Sequence, residues 1–155
     1  MEISLGNAQK RTEVDPAAVR QLARTVLEGE RAEVDEVGIV FIEDVYSREL
    51  NRRFRAIDKP TDVLAFPLSD DPDADPPDRY LGEVYVNVDR AAVQSEEYGV
   101  SLSQEIARLL VHGLLHLLGY DHETSPAEAK RMRTREEHFL HELGALGDAL
   151  TRPSR

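Results

Sequence analysis

Apolar residues recur along this chain with two different periods, and the switches between them mark its elements. Residues 3–8 read as a short strand. Asp15 followed by Pro16 is a helix start, because the carboxylate can accept from the free first-turn amides and proline needs no partner there. Val19, Leu22, Ala23, Val26 and Leu27 then fall on one helical face, predicting a helix to about Gly29. Residues 37–42, VGIVFI, form a continuous apolar run that suits a strand buried on both faces. Ser47 is placed to cap a short helix running through Leu50 and Phe54. Residues 61–68 and 81–88 are β-rich and suit adjacent strands, joined by a loop at 69–79 whose three prolines cannot enter a ladder.

The last third is helical. Ser101 with Gln104 is a capping-box pattern. Leu102, Ile106, Leu109, Leu110, Leu114, Leu117 and Leu118 form a wide apolar stripe that stops at Gly119, a candidate left-handed cap. A final helix is expected over 126–143, carrying Lys130, Arg131, Arg133 and Arg135. No internal repeat is present. The expected architecture is α+β: a single small mixed sheet of about four strands packed with helices, in one domain spanning 1–155.

Composition narrows the chemistry. The 155 residues include no cysteine, so any metal must be held by His, Asp, Glu or water. The opening MEISLGNAQK lacks the apolar core of a signal peptide, and the apolar stretch 114–118, broken by His116, is far too short to span a bilayer. The expectation is a cytoplasmic protein with no membrane partner. A net charge of -11 argues at first against nucleic acid, whose phosphates are bound largely by Lys and Arg. The charge is uneven, however: residues 48–59 hold five basic and two acidic groups, whereas the 69–79 loop holds five aspartates and reads as a solvated turn.

The chemistry concentrates in HGLLHLLGYDH, residues 112–122. His112 and His116 lie four apart, on one face of a helix and one turn from each other. Gly119 lets the chain turn back and bring His122 round as a third ligand. Three imidazoles leave a fourth tetrahedral position open, the pattern of a catalytic zinc at the C-terminal end of the central helix. One Zn²⁺ per chain is expected, although other divalent transition metals suit the same ligands. The spacing matches H-E-x-x-H-x-x-G-x-x-H of the metzincins at each His and at the Gly. Gly113 stands where those proteases carry their general base, and this excludes peptide hydrolysis by that route. His138 and His141 read as surface residues of the last helix.

This motif, together with the upstream run from Leu50 and Asn51 through Phe54, Arg55 and Asp58-Lys59-Pro60-Thr61-Asp62-Val63-Leu64-Ala65-Phe66-Pro67, and Leu81-Gly82-Glu83-Val84, resembles the YbeY family. Those proteins are bacterial rRNA maturation factors described as single-strand-specific, metal-dependent endoribonucleases. The resemblance implies that His112, His116 and His122 are the zinc ligands and that Arg55 is functionally essential, so Arg55 and His112 are the candidate catalytic residues. It also implies precursor rRNA as substrate, with action at the small-subunit 3′ end and in ribosome quality control, beside the small subunit and its assembly proteins. Ala65 and Glu83 stand where serine and aspartate are usual, and Asn87 near a position often serine.

A guanidinium suits Arg55's role, since it can donate two parallel hydrogen bonds to a phosphate. Arg52, Arg53 and Lys59 are candidates for the edge of an RNA groove or simply a solvated face, and Asn51 for either a substrate contact or a turn cap. Thr61 and Asp62 read as fixing the turn into the following strand. Asp121, beside the third histidine, is a candidate for the shell behind the metal or for a proton acceptor, against the alternative of a structural hydrogen bond. Two other classes of function stay open: an RNA- or ribosome-binding assembly factor with a mainly structural metal, and a metallohydrolase of another substrate, which would need an acid such as Glu123 turned inward.

Overall fold

The computed structural model describes residues 1–68 and 80–153, so the acidic stretch 69–79 lies outside the described residues. Strands β1 (Glu2–Asn7), β3 (Glu36–Ile42) and β5 (Tyr80–Asn87) run parallel, and β4 (Val63–Pro67) pairs antiparallel with β5 at the edge, giving the order β1-β3-β5-β4. This is the mixed sheet of about four strands expected above. A small antiparallel pair, β2 (Thr12–Val14) with β6 (Thr151–Pro153), ties the two ends of the described chain together. Helices α1 (Pro16–Gly29), α2 (Asp44–Arg55), α3 (Val88–Tyr98), α4 (Leu102–Leu117) and α5 (Pro126–Leu143) complete the described fold, with a 3₁₀ turn at Gly144–Asp148.

Alternation along the strands sorts the two faces of the sheet. Val37, Ile39 and Phe41 of β3 and Val84 and Val86 of β5 are buried against the stripes of α1 and α4. Asp15 caps α1 as expected, its Oδ1 accepting from the amides of Ala17 and Ala18 at 3.0 and 3.3 Å. Ser101 and Gln104 form the expected capping box of α4.

Three expectations are corrected. Helix α2 begins at Asp44, and Ser47 is buried inside it rather than capping it. The Ser47 hydroxyl donates to the carbonyl of Thr61 at 2.9 Å and accepts from its amide at 3.0 Å, pinning the helix to the segment entering β4. Val88 does not end a strand: β5 stops at Asn87, whose side chain accepts from the Arg90 amide and starts α3. That helix escapes the periodic pattern because its buried residues are only Val88, Ala91 and Ser95, two of them too small to make an apolar stripe. Finally, α4 ends at Leu117 with Leu118 as its cap, while Gly119 (φ +99°) turns the chain one residue later.

The approach of α4 to the sheet explains Gly113. A Cβ at that position would lie 2.6 Å from a methyl of Val84 and 3.3 Å from one of Val63. The residue one step beyond His112 therefore faces the sheet, and no side chain fits there. Among the described residues, no helix is long and apolar enough to cross a membrane.

Gly113→Ala should lower stability by about 1–3 kcal/mol, the usual cost of overfilling a packed contact. Denaturant melts of the metal-free protein would read this. A variant as stable as the parent would mean that α4 is not pressed against β5 at this point.

Candidate metal centre

Burial of Ile106, Leu109, Leu110, Leu114, Leu115 and Leu117 turns the remaining face of α4 outward. His112 and His116 stand on that face, half-buried, and the turn at Gly119 returns His122 to meet them. The rings converge: their centroids are 5.0 Å apart for His112 and His116, and 5.2 Å for each pair with His122. One ligand nitrogen from each of the three lies within 4.8 Å of the others. His116 Nε2 and His122 Nδ1 are 3.2 Å apart, a separation that a shared cation can bridge.

The donor set fits a nitrogen-bound divalent ion. His112 Nδ1 is 2.5 Å from Glu136 Oε1 on α5. With a proton on that Nδ1, donated to the carboxylate, Nε2 is left with its lone pair for the metal. The His122 side chain is 44 % exposed, so the cluster is open to solvent on one side. That combination is characteristic of a site with a free coordination position rather than a closed structural one.

The loop carrying His122 is held from behind. Tyr120 is buried, and its hydroxyl donates to the Glu30 carboxylate at 3.0 and 3.1 Å. Arg135 Nε donates to the same carboxylate at 2.8 Å, and the Arg131 guanidinium sits 4.4 Å from the Tyr120 ring centre. Asp121 organises the loop itself: Oδ1 accepts from the Glu123 amide at 2.8 Å and Oδ2 from the Thr124 hydroxyl at 2.6 Å. The Thr124 hydroxyl, then the Glu123 amide, holds the Asp121 carboxyl below its ordinary range. Both oxygens are thereby committed to the turn that returns His122.

A cleft of about 340 Å³ lies over the histidines, lined among others by Arg55, Asp62, Ala65 and Arg108. A second hollow of about 440 Å³ continues past His116 and His122 along Gly119 and Asp121, and Arg55 lines it too. Arg55, the last residue of α2, thus lines both hollows, the first with all three histidines and the second with His116 and His122. Its neighbours are placed differently. Asn51 is buried, with Nδ2 donating to the Lys59 carbonyl at 2.8 Å, so its amide closes the turn after α2. Arg52 is exposed and donates to both oxygens of Glu49. Lys59 is exposed. Asp62 accepts from its neighbour's amide, Val63 N, at 2.8 Å and from Gln94 Nε2 at 3.2 Å, which secures the entry to β4.

Of the departures from the family pattern, Ala65 lines the cleft. Glu83 instead accepts from the Tyr80 and Tyr85 hydroxyls, and Asn87 Nδ2 donates to Asp44 at 2.7 Å and to the Thr61 carbonyl at 3.0 Å. His138 and His141 are exposed on α5, His138 beside Glu142 at 3.2 Å. Two residues of the site are absent from the readings made on sequence alone. Glu136 gives no local signal, since it lies on another helix, 24 positions beyond His112. Arg108 does give one: it precedes His112 by a single helical turn and shares its face.

A family model described as Endoribonuclease YbeY matches residues 4–144. The Endoribonuclease YbeY of Roseiflexus sp. (strain RS-1) is 47% identical over 136 residues, covering 84% of this chain and 85% of the relative. That of Chloroflexus aurantiacus is 48% identical over 137 residues, covering 84% and 88%. That of Carboxydothermus hydrogenoformans is 41% identical over 140 residues, covering 89% and 94%. The solution structure of TM1509 from Thermotoga maritima superposes with a TM-score of 0.65 at 26% identity, over 96% of this chain and 93% of that one.

Glu136→Gln should leave the fold intact and weaken Zn²⁺ binding about 10–100-fold, as loss of an orienting carboxylate typically does. Competition with a chromophoric chelator reads the affinity, and an unchanged value would remove Glu136 from the site. A second expectation concerns pH. Burial, then the charges of His112 and His122, holds His116 below its ordinary 6.5. The unfolded chain therefore binds more protons than the folded one just below pH 6.5, so metal-free stability falls as pH drops through that value. Melts of the chelated protein should show this loss, and His116→Asn should reduce it.

Proposed function

The chain belongs to the YbeY family of endoribonucleases, a family involved in rRNA maturation, and from that premise we propose that it hydrolyses phosphodiester bonds in single-stranded RNA at the three-histidine site. The observation that carries this reading is the meeting of three imidazoles, their ligand nitrogens within 4.8 Å, in one cleft with the Arg55 guanidinium. The combination suits an anionic substrate held against a cation.

His112, His116 and His122 would hold the ion, and the all-imidazole donor set suits zinc. When bound there, zinc supplies Lewis-acid polarisation of a phosphoryl oxygen and lowers the pKa of a water. Glu136 keeps His112 in the tautomer that presents Nε2, and the Tyr120–Glu30 contact keeps His122 in place. Arg55 donates paired N–H groups to the non-bridging oxygens and offsets the negative charge that grows on them as the fifth bond forms. It reaches the site from the end of α2, so that a strand lying in the cleft would meet both the arginine and the histidines. Lys59 and Arg52, exposed beyond it, border the path of the flanking nucleotides.

The substrate we assign is precursor rRNA near the small-subunit 3′ end, with a further part in ribosome quality control, in the cytoplasm and in contact with the small subunit and its assembly proteins. The family's link to rRNA supports this, as do the basic residues of 48–59 in an otherwise acidic chain. Exposure of His122 weighs against a mainly structural metal.

Purified protein incubated with a single-stranded oligoribonucleotide should cleave it, and excess chelator should abolish the cleavage. His112→Ala should lose it, and Arg55→Ala should lower kcat about 10²–10³-fold, the usual effect of removing one transition-state donor. Cleavage that survives in His112→Ala points to another nuclease. Loss of ribosome binding without any turnover in the parent points to the assembly-factor role.

A further inference from the structure

Arg108 is not explained by the three-histidine site alone. It lies on α4 four residues before His112 and eight before His116. On a helix that places the three side chains in one row, each step rising about 6 Å. All three line the same cleft, and so does Arg55 from the end of α2. The row therefore continues the cation site along the cleft floor, by a step of the same order as the spacing of neighbouring phosphates on an extended strand.

The guanidinium is held in advance. Its Nε and Nη2 donate to the two oxygens of Glu105 at 2.7 Å each, and its carbon sits 5.6 Å from the centre of the Tyr98 ring. Glu105 is 1% exposed on its side chain, whereas Arg108 remains 36% exposed. Among the described residues, no hydrogen bond uses the Arg108 Nη1, so one edge of the fork keeps its two N–H donors. Neutralising a buried Glu105 accounts for the paired edge and leaves the other edge without a hydrogen-bond partner among the described residues. The charge of Asp62, in the same cleft, acts on the guanidinium, but its oxygens accept from three other donors: the Val63 amide, the Thr61 hydroxyl and Gln94 Nε2.

We propose that Arg108 binds a second backbone phosphate of the RNA, a neighbour of the one at the histidines, and so sets which linkage lies over the metal site. The inference rests on the nuclease reading above and deepens it. Arg108 is here a binding residue: it acts on substrate placement, through a contact made equally in the ground state and the transition state. Such a contact changes KM and leaves kcat nearly untouched.

The test uses the metal-loaded full chain and a short oligoribonucleotide with one cleaved linkage. A set of variants of that oligonucleotide carries a single uncharged methylphosphonate at each flanking position in turn. For the parent protein, one flanking position should raise KM about 10–100-fold, the range for a lost hydrogen bond to a charged group. Arg108→Gln should raise KM for the fully charged oligonucleotide by a similar factor and should then be insensitive to the methylphosphonate at that position. Because Arg108→Gln strands Glu105, the double variant Glu105→Gln/Arg108→Gln, checked by thermal melt, separates a folding defect from a binding one. Unchanged KM in the well-folded double variant overturns the proposal, and so do methylphosphonate penalties that persist in full at every position. Parent protein that leaves the fully charged oligonucleotide intact sinks the nuclease reading itself, before any variant is compared.

Discussion

Helix α4 lies against β5 with no side chain between them at Gly113, where an added Cβ would come within 2.6 Å of Val84. This contact sets the rotation of the helix about its own axis. Once the leucines on either side of Gly113 are buried, Arg108, His112 and His116 have only the outward face left to occupy. The same contact accounts for the missing metzincin glutamate, since the position after the first histidine is spent on packing. Position 113 therefore offers no proton acceptor, while Arg55, at the end of α2, lines the same cleft.

The site is assembled from parts that are remote along the chain. The position of His122 depends on a loop that Asp121 folds and that Tyr120 anchors to Glu30 at the end of α1. The orientation of His112 depends on Glu136 of α5. Arg135, one residue before Glu136, donates to Glu30, so α5 braces two of the three histidines at once. Rigid support of this kind matters because a metal centre tolerates little displacement of its ligands. It also accounts for two of the four basic residues of α5: Arg131 and Arg135 serve the Tyr120 anchor.

The electrostatics follow the same division between global and local. A charge of -11 over the whole chain would repel a polyanion at long range, but screening confines that repulsion to about 8–10 Å at physiological salt. Within the cleft, two arginines and three imidazoles placed to hold a cation stand beside the carboxylates of Asp62 and Glu123. Local placement thus offsets what composition alone suggests.

Much of the fold was legible from sequence because it depends on local rules. Asp15-Pro16, the Ser101–Gln104 box, the leucine stripe of α4 and the continuous apolar run of β3 each declare an element through capping chemistry or periodicity. The spacing of His112, His116 and His122 made their convergence legible, since a helical turn and a glycine reversal are short-range geometry. Ser47, Asn51 and Asp121 were different: their polar side chains suit several roles, and only the packed chain shows them satisfying Thr61, Lys59 and the 121–124 turn. Helix α3 stayed hidden because small buried residues leave no amphipathic signature. Glu136 and the Tyr120–Glu30–Arg135 contacts join residues 24 to 105 positions apart. Such partners are chosen by how helices pack in three dimensions, and that information is held by the whole core rather than by any one segment.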